Sequence, residues 1–292
     1  MIDFTIPEEA KAVRDKVRAF VQSECHPAEE TCTADNFDET MAGLRGKARA
    51  QGLWCPFIPV EHGGMGLRPL ANALVQMELG ESHLGALSLN TQGPDDATML
   101  TLLEHGTDFQ KETFLKPLLN GEKRICYSMT EKAAGADATG MQTTAVLEGD
   151  EWVLNGEKWF SSSASVADIA VVMAKTDPDA PRHEQYSTFI VELPNPGYEI
   201  VRNIETMQPH TALGLKLGGS HSEIKIDNLR VPRENILGGQ GQGFNMGQHR
   251  LAYGRLRHGM HNVAMAQRAL DLAAKHVVSR STFGERLADR QG

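Results

Sequence analysis

The chain has 292 residues, enough for one large unit or two to three smaller ones with real hydrophobic cores. At 40% hydrophobic and 23% charged it has an ordinary globular composition, and its net charge of −9 leaves no electrostatic footprint for nucleic acid or an anionic membrane. No apolar run approaches membrane-spanning length, and Met1-Ile2-Asp3-Phe4 leads into a polar helix rather than a signal peptide, so a cytoplasmic location with no membrane insertion is expected.

Residues 7–121 read as helices. Val13, Val17, Phe20 and Val21 recur at helical spacing, with Pro7 suited to the first helical position. Met41 and Leu44 mark a second helix, and a Pro/Gly-rich connection follows over residues 56–66. Leu70, Leu74, Met77 and Glu78 predict another helix, and residues 95–105 a further one. Thr107-Asp108 caps a helix running through Leu118, with Glu112 near its first turns and Gly121 past its end.

From Arg124 the pattern changes to strands. Ile125–Ser128 leads into Met129-Thr130-Glu131 and a small-residue loop, Ala133-Ala134-Gly135-Ala136-Asp137. Thr143–Leu147 and Trp152–Leu154 carry β-branched and aromatic residues, and Asn155-Gly156 predicts a hairpin turn, since both residues tolerate positive φ. Ile169, Val171 and Met173 alternate with Ala170, Val172 and Ala174, which predicts a strand buried on both faces. Phe189–Val191, Ile224–Ile226 and Leu229–Val231 follow, with Pro232 at a strand end.

After Gly243 the helical period returns. Val263, Ala266, Leu270, Ala273 and Val277 form one stripe on a long helix that cannot bury it alone. The helix breaks at Arg280-Ser281-Thr282-Phe283-Gly284, and Leu287 starts another helical pattern running to Gly292.

Other signals are weak. Cys25, Cys32, Cys55 and Cys126 form no CxxC pair and are expected to be free thiols. The glycines of residues 238–243 are not GxGxxG within a βαβ unit, and Gly63-Gly64-Met65-Gly66 lacks the P-loop lysine. His258 and His261 lie one helical turn apart without a patterned third ligand, so no metal is expected there. No GxSxG occurs, which argues against a serine hydrolase.

Tyr127-Ser128-Met129-Thr130-Glu131, Asn155-Gly156-Glu157-Lys158-Trp159-Phe160-Ser161-Ser162, Arg280-x-x-Phe283-Gly284 and the helix–strand–helix order together resemble the acyl-CoA dehydrogenase family of flavoproteins. Gly254-Arg255, His258-Gly259-Met260 and Gln267-Arg268-Ala269-Leu270 look most like its branch with fused or long-chain mammalian members.

The resemblance implies an α+β fold with three parts: an N-terminal all-α domain over 1–123, a middle β-barrel or sandwich domain over 124–238, and the start of a C-terminal four-helix bundle over 239–292. It implies FAD as cofactor and oxidation of an acyl-CoA to the 2,3-enoyl-CoA, with electrons passed to an electron-transfer flavoprotein. A homodimer or homotetramer is implied as well. Carried over residue by residue, Thr130 donates its hydroxyl to the flavin edge, while Tyr127 and Met129 contribute backbone or packing. Phe160 packs on the isoalloxazine face and Ser162 sits by flavin N5, with Ser161 or Ser163 competing for that role. Arg280 and Phe283 contact the FAD pyrophosphate and adenine across a dimer interface. Ala136 and Arg255 contact the acyl-CoA, although Ala136 stands where the family often has Ser.

No catalytic base is assigned. Gly254 occupies the helix position that carries the base in one group of the family, and in most others the base lies in the later bundle, beyond Gly292. Two rival readings follow: a non-catalytic flavin- or acyl-CoA-binding module, or an acyl-CoA oxidase or flavin monooxygenase on the same fold.

Overall fold

The computed structural model describes residues 5–207 and 211–290; the expected helix start at residues 1–4 lies outside them. Helix α1, Glu8–Phe20, runs through a π turn, Val21–Cys25, into α2, His26–Thr31. Pro7 stands at the cap rather than at the first helical position, because its ψ of 144° is extended while its carbonyl already accepts from Ala10 and Lys11. Helices α3, Phe37–Ala50, α4, Pro69–Leu79, and the short α5, Gly85–Ser88, complete one core around Phe20, Met41, Leu44, Val75, Leu79 and Leu87.

Leu70, Leu74, Met77 and Glu78 lie on α4 as expected, with Leu70 exposed and Glu78 buried. The helix turns Val75 and Leu79 into the core together with buried Asn72 and Gln76, whose amides serve a later helix. Helix α6, Asp95–His105, follows. Thr107 then closes a capping box on α7, Asp108–Gln110, and Gln110 rather than Glu112 returns the reciprocal bond. A π turn, Lys111–Leu115, leads into α8, Lys116–Leu119, with Gly121 at φ 68° past its end.

The strands are β1, Ile125–Ser128, β2, Thr144–Glu148, β3, Glu151–Ser162, β4, Ile169–Lys175, β5, Tyr186–Glu192, and β6, Tyr198–Asn203. After α9, Ala212–Lys216, come β7, His221–Pro232, and β8, Ile236–Leu237. They form one sheet in the order β6-β7-β3-β2-β4-β5-β8, with β1 lying parallel along β4. Strand β4 is buried on both faces, as its alternation predicts. Ala170 and Val172 join Trp152, Phe189 and Ile224 inside the sheet, while Ile169 and Val171 meet Leu102, Phe114 and Leu118 of the helices.

The hairpin expected at Asn155-Gly156 lies elsewhere. Glu148 pairs with Glu151, so Gly149-Asp150 is the turn, with positive φ (64°) at Gly149. Asn155 and Gly156 sit inside β3 at a bulge against β7, where the register shifts between Leu154 and Gly156. Gly156 is required there: its φ is 152°, and a Cβ would lie 2.5 Å from Thr143 Oγ1. Asn155 bonds the displaced strand by accepting the Asn228 N–H at 2.8 Å.

Helix α10, Gly243–Ser279, has 37 residues and is about 55 Å long. Its first two-thirds pack on α6, β5 and α4, burying Met246, Gly247, Arg257 and Ala264. The predicted stripe lies bare: Val263 is 50% and Leu270 63% exposed. Beyond the helix, β9, Ser281–Thr282, and β10, Glu285–Arg286, pair around Phe283-Gly284, both at positive φ. Leu287 begins one 3-10 turn, Leu287–Asp289, instead of the expected helix, because its N–H bonds back to the Arg280 carbonyl and closes the small hairpin. Gly292 lies outside the described residues. The four cysteines are free, and among the described residues no helix is long and apolar enough to cross a membrane.

Candidate functional site

The site grows from a fault in the β3–β7 ladder. Register is lost between Lys158 and Ser161, so Trp159 and Phe160 bulge out of the pairing. Trp159 redirects its N–H to the carbonyl of Thr130 at 2.7 Å, which stitches the end of β1 to β3. Phe160 follows at φ 57°, an uncommon backbone state for a bulky residue, and its ring is 45% exposed. The Trp159 ring, in contrast, is covered by the cations of Lys132 and Arg202 at 5.0 and 5.4 Å. A strained backbone that holds an aromatic face open is built to receive something flat and apolar.

Lys158, immediately before the bulge, is fully buried. Its ammonium donates to the Met129 carbonyl and to Glu131 Oε1, both at 2.9 Å, with Met141 Sδ at 3.7 Å. Glu131 also accepts the backbone N–H groups of Gln142 and Thr143. Burial pushes the Lys158 ammonium down to about 8 against the pull of Glu131. Burial alone would raise the Glu131 carboxyl, but Lys158 and the two backbone donors outweigh it and hold it low. Neither residue was singled out in the sequence for this role. Their pairing joins residues 27 apart in the chain through a bulge at Gly156 that local spacing does not reveal.

The serines divide by strand alternation. Ser161 faces inward and bonds Ser128 at 2.9 Å, which in turn bonds the Tyr198 hydroxyl at 2.7 Å. Its hydroxyl is therefore committed to the sheet interior. Ser162 faces the other way, meets His221 Nδ1 at 2.9 Å, and lines a cavity of about 360 Å³. The same cavity is walled by Gly93, Pro94, Asp96, Arg250, Gly254 and Arg255. Thr130 and Met129 are half-buried at the end of β1. Tyr127 lies beneath Arg250, whose guanidinium stands 4.0 Å over its ring.

Charge collects where α6 meets α10. Arg257 Nε lies 2.9 Å from Asp96 Oδ2, and Arg250 reaches Thr98 Oγ1 at 3.1 Å and the Pro94 carbonyl at 3.3 Å. Burial pushes the Asp96 carboxyl up to about 6, with Arg257 pulling the other way. This buried group was not visible in the sequence, because Asp96 and Arg257 meet only through tertiary packing. Gly254 offers no side chain, and a Cβ there would meet nothing within 4 Å.

Of the expected site residues Ser162 and Arg255 line this cavity, whereas Tyr127, Met129, Thr130, Phe160, Ser161, Ala136, Arg280 and Phe283 are not among its lining residues. Ala136 is exposed on a loop braced by Asp137, which accepts from Thr139 and pairs with Arg182 at 2.8 Å. Arg280 lies beyond the end of α10, roughly 37 Å along the axis from Arg255. Phe283 is 95% exposed on the terminal hairpin. His258 and His261 do not converge: His258 Nε2 lies 3.3 Å from Arg257, and His261 Nε2 bonds Gln76 at 2.9 Å.

The floor fits a flavin by its shape and donors: an open aromatic face, a strand end carrying Thr130, and Ser162 at the cavity wall. Comparison with known proteins bears on the family. Models of the acyl-CoA dehydrogenase N-terminal, middle and C-terminal domains match residues 7–122, 126–228 and 241–292. Acyl-CoA dehydrogenase family member 10 of Mus musculus is 35% identical over 287 residues, 93% of this chain and 26% of that protein. Acyl-CoA dehydrogenase family member 11 of Gallus gallus is 34% identical, over 93% of this chain and 36% of that protein. The chain thus spans about a quarter to a third of these two relatives. A glutaryl-CoA dehydrogenase solved with glutaryl-CoA superposes with a TM-score of 0.81 at 29% identity, covering 99% of this chain and 71% of that one. With all three domain models matched in order, and with the helical, sheet and helical parts they require, the chain belongs to the acyl-CoA dehydrogenase family of flavoprotein oxidoreductases.

Proposed function

We propose that the chain binds FAD and an acyl-CoA thioester and belongs to an enzyme that oxidises acyl-CoA to the 2,3-enoyl-CoA, passing electrons to an electron-transfer flavoprotein. The observation that carries this reading is the exposed Phe160 at φ 57°, one residue after the Trp159 N–H that holds the Thr130 carbonyl and two before Ser162, which lines the cavity under α10. FAD, when bound, supplies the acceptor for the hydride leaving C3 of the acyl group. The chain's own residues do the rest. Phe160 offers an apolar face to the ring, and Thr130 and Ser162 offer hydroxyls to its polar edge. The Tyr127 and Met129 segment keeps that strand end in place. Arg255 and the Ala136 loop flank the thioester's route.

Removing the C2 proton needs a base within hydrogen-bond reach. Gly254 cannot serve, and Asp96 is turned to Arg257. We place the base outside the described residues. Arg280 and Phe283 are too far along α10 to reach the floor of their own chain, so they serve the FAD of a second copy in a homodimer or homotetramer.

The test is FAD uptake followed by anaerobic mixing with straight and branched acyl-CoAs. The 292-residue chain is expected to bind FAD without bleaching, and a version extended by the later bundle helices to bleach with enoyl-CoA formed. Neither form taking up FAD overturns the reading. Bleaching by the 292-residue chain would put the base within it.

A further inference from the structure

Lys158 is costly to bury. Lysine is almost never fully buried unless paired, and an apolar pair of similar volume stabilises a fold at least as well as a buried ion pair. The ammonium's three N–H groups are nevertheless all directed, to Met129 O, Glu131 Oε1 and Met141 Sδ. Glu131 in turn gathers Gln142 and Thr143. One side chain therefore ties four stretches together: the end of β1, the loop after it, the start of β2, and β3 itself. It does so one residue before the ladder opens, where β3 gives up β7 and takes Thr130 as partner through the Trp159 N–H. The Met129 carbonyl accepts from this ammonium, and Glu131 does so on the other side of Thr130. Without the ammonium the seam loses both anchors and keeps the Trp159–Thr130 bond.

We propose that Lys158 is a positioning residue: with Glu131 it pins the end of β1 onto the bulge of β3, and so fixes Thr130, Phe160 and Ser162 relative to one another for a flavin ring. The inference rests on the flavin reading above and adds the device that aligns its floor. The charged group facing the ammonium is Glu131.

The test separates alignment from stability. Lys158→Met leaves Glu131 buried and unpaired, so it lowers Tm whatever the residue's role. The double variant Lys158→Met with Glu131→Gln removes both charges and is the informative one. If Lys158 positions the floor, the double variant recovers most of the lost Tm, yet binds FAD at least about ten-fold more weakly than the parent, read by flavin fluorescence quenching. The Trp159 amide in the FAD-free chain should also exchange at least about ten-fold faster, after correction for global stability. FAD affinity and Trp159 protection that both return with Tm would reduce the pair to a structural one and overturn the proposal. A parent chain that takes up no FAD would sink the flavin reading instead. The exchange arm then decides alone, since unchanged Trp159 protection in the double variant refutes the pinning itself.

Discussion

Adjacent serines on one strand do opposite work, because a strand's side chains alternate between faces. Ser161 is held among Ser128 and Tyr198 inside the sheet, so Ser161→Ala should cost about 1–2 kcal/mol in denaturant unfolding while leaving FAD affinity within about two-fold. Ser162 lines the cavity, so Ser162→Ala should change stability by less than about 0.5 kcal/mol and weaken FAD binding about five- to ten-fold. Reversed effects would move the cofactor contact to Ser161. His261 sets a pH dependence of its own. Burial first, then the neighbouring Arg257 and His258, push its imidazole down from 6.5 to about 4. Between those values the unfolded chain binds a proton that the folded chain does not. Stability from this group is complete above about pH 6.5 and is lost as pH falls toward 4. His261→Gln should flatten the fall in Tm across that window, and an unchanged slope would assign it to other groups.

At the scale of elements, glycines decide where strands bend. Gly156→Ala should cost about 2–4 kcal/mol, since a Cβ would strike Thr143 within the bulge. Gly149→Ala, at a solvent-facing turn with open space around the Cβ, should cost about 1 kcal/mol through its φ alone. Chemical denaturation of both variants checks the order. This pair also shows how much of the sheet could be read beforehand. Runs of β-branched residues placed β2 and β4 and the two-sided burial of β4, because periodicity is a local property. Asn155-Gly156 carried an ordinary turn signal, yet the chain turned at Gly149-Asp150, because pairing with β7 outweighed local propensity. The same limit applies at the site. Thr130, Phe160 and Ser162 were nameable from a motif, and the cavity gathers Ser162, Gly254 and Arg255. Asp96 with Arg257, and Lys158 with Glu131, are contacts between residues far apart in the chain, and no spacing rule announces them. The burial of Asn72 and Gln76 on α4 is likewise a tertiary matter, since α10 brings Tyr253 and His261 to them.

At the scale of the molecule, helix α10 joins all the parts. Gly243 starts it so close to β5 that a Cβ would lie 2.8 Å from the Ser187 backbone carbon. Gly80 of the α4 end lets it pass with a Cβ clearance of only 2.8 Å to His261 Cα. From there on support thins: Leu270, Leu272 and Val278 are all more than half exposed, and the helix continues like a beam fixed at one end. A protease needs its target segment to leave the helical state for long enough to be threaded through the active-site cleft, and an unsupported helix end frays most readily. Brief treatment with trypsin should therefore cut first after Lys275 and Arg280 and spare the buried Arg257, giving a fragment that still contains the whole sheet. Any molecule that seats itself along the bare stripe would announce its presence by making those two bonds the last to be cut.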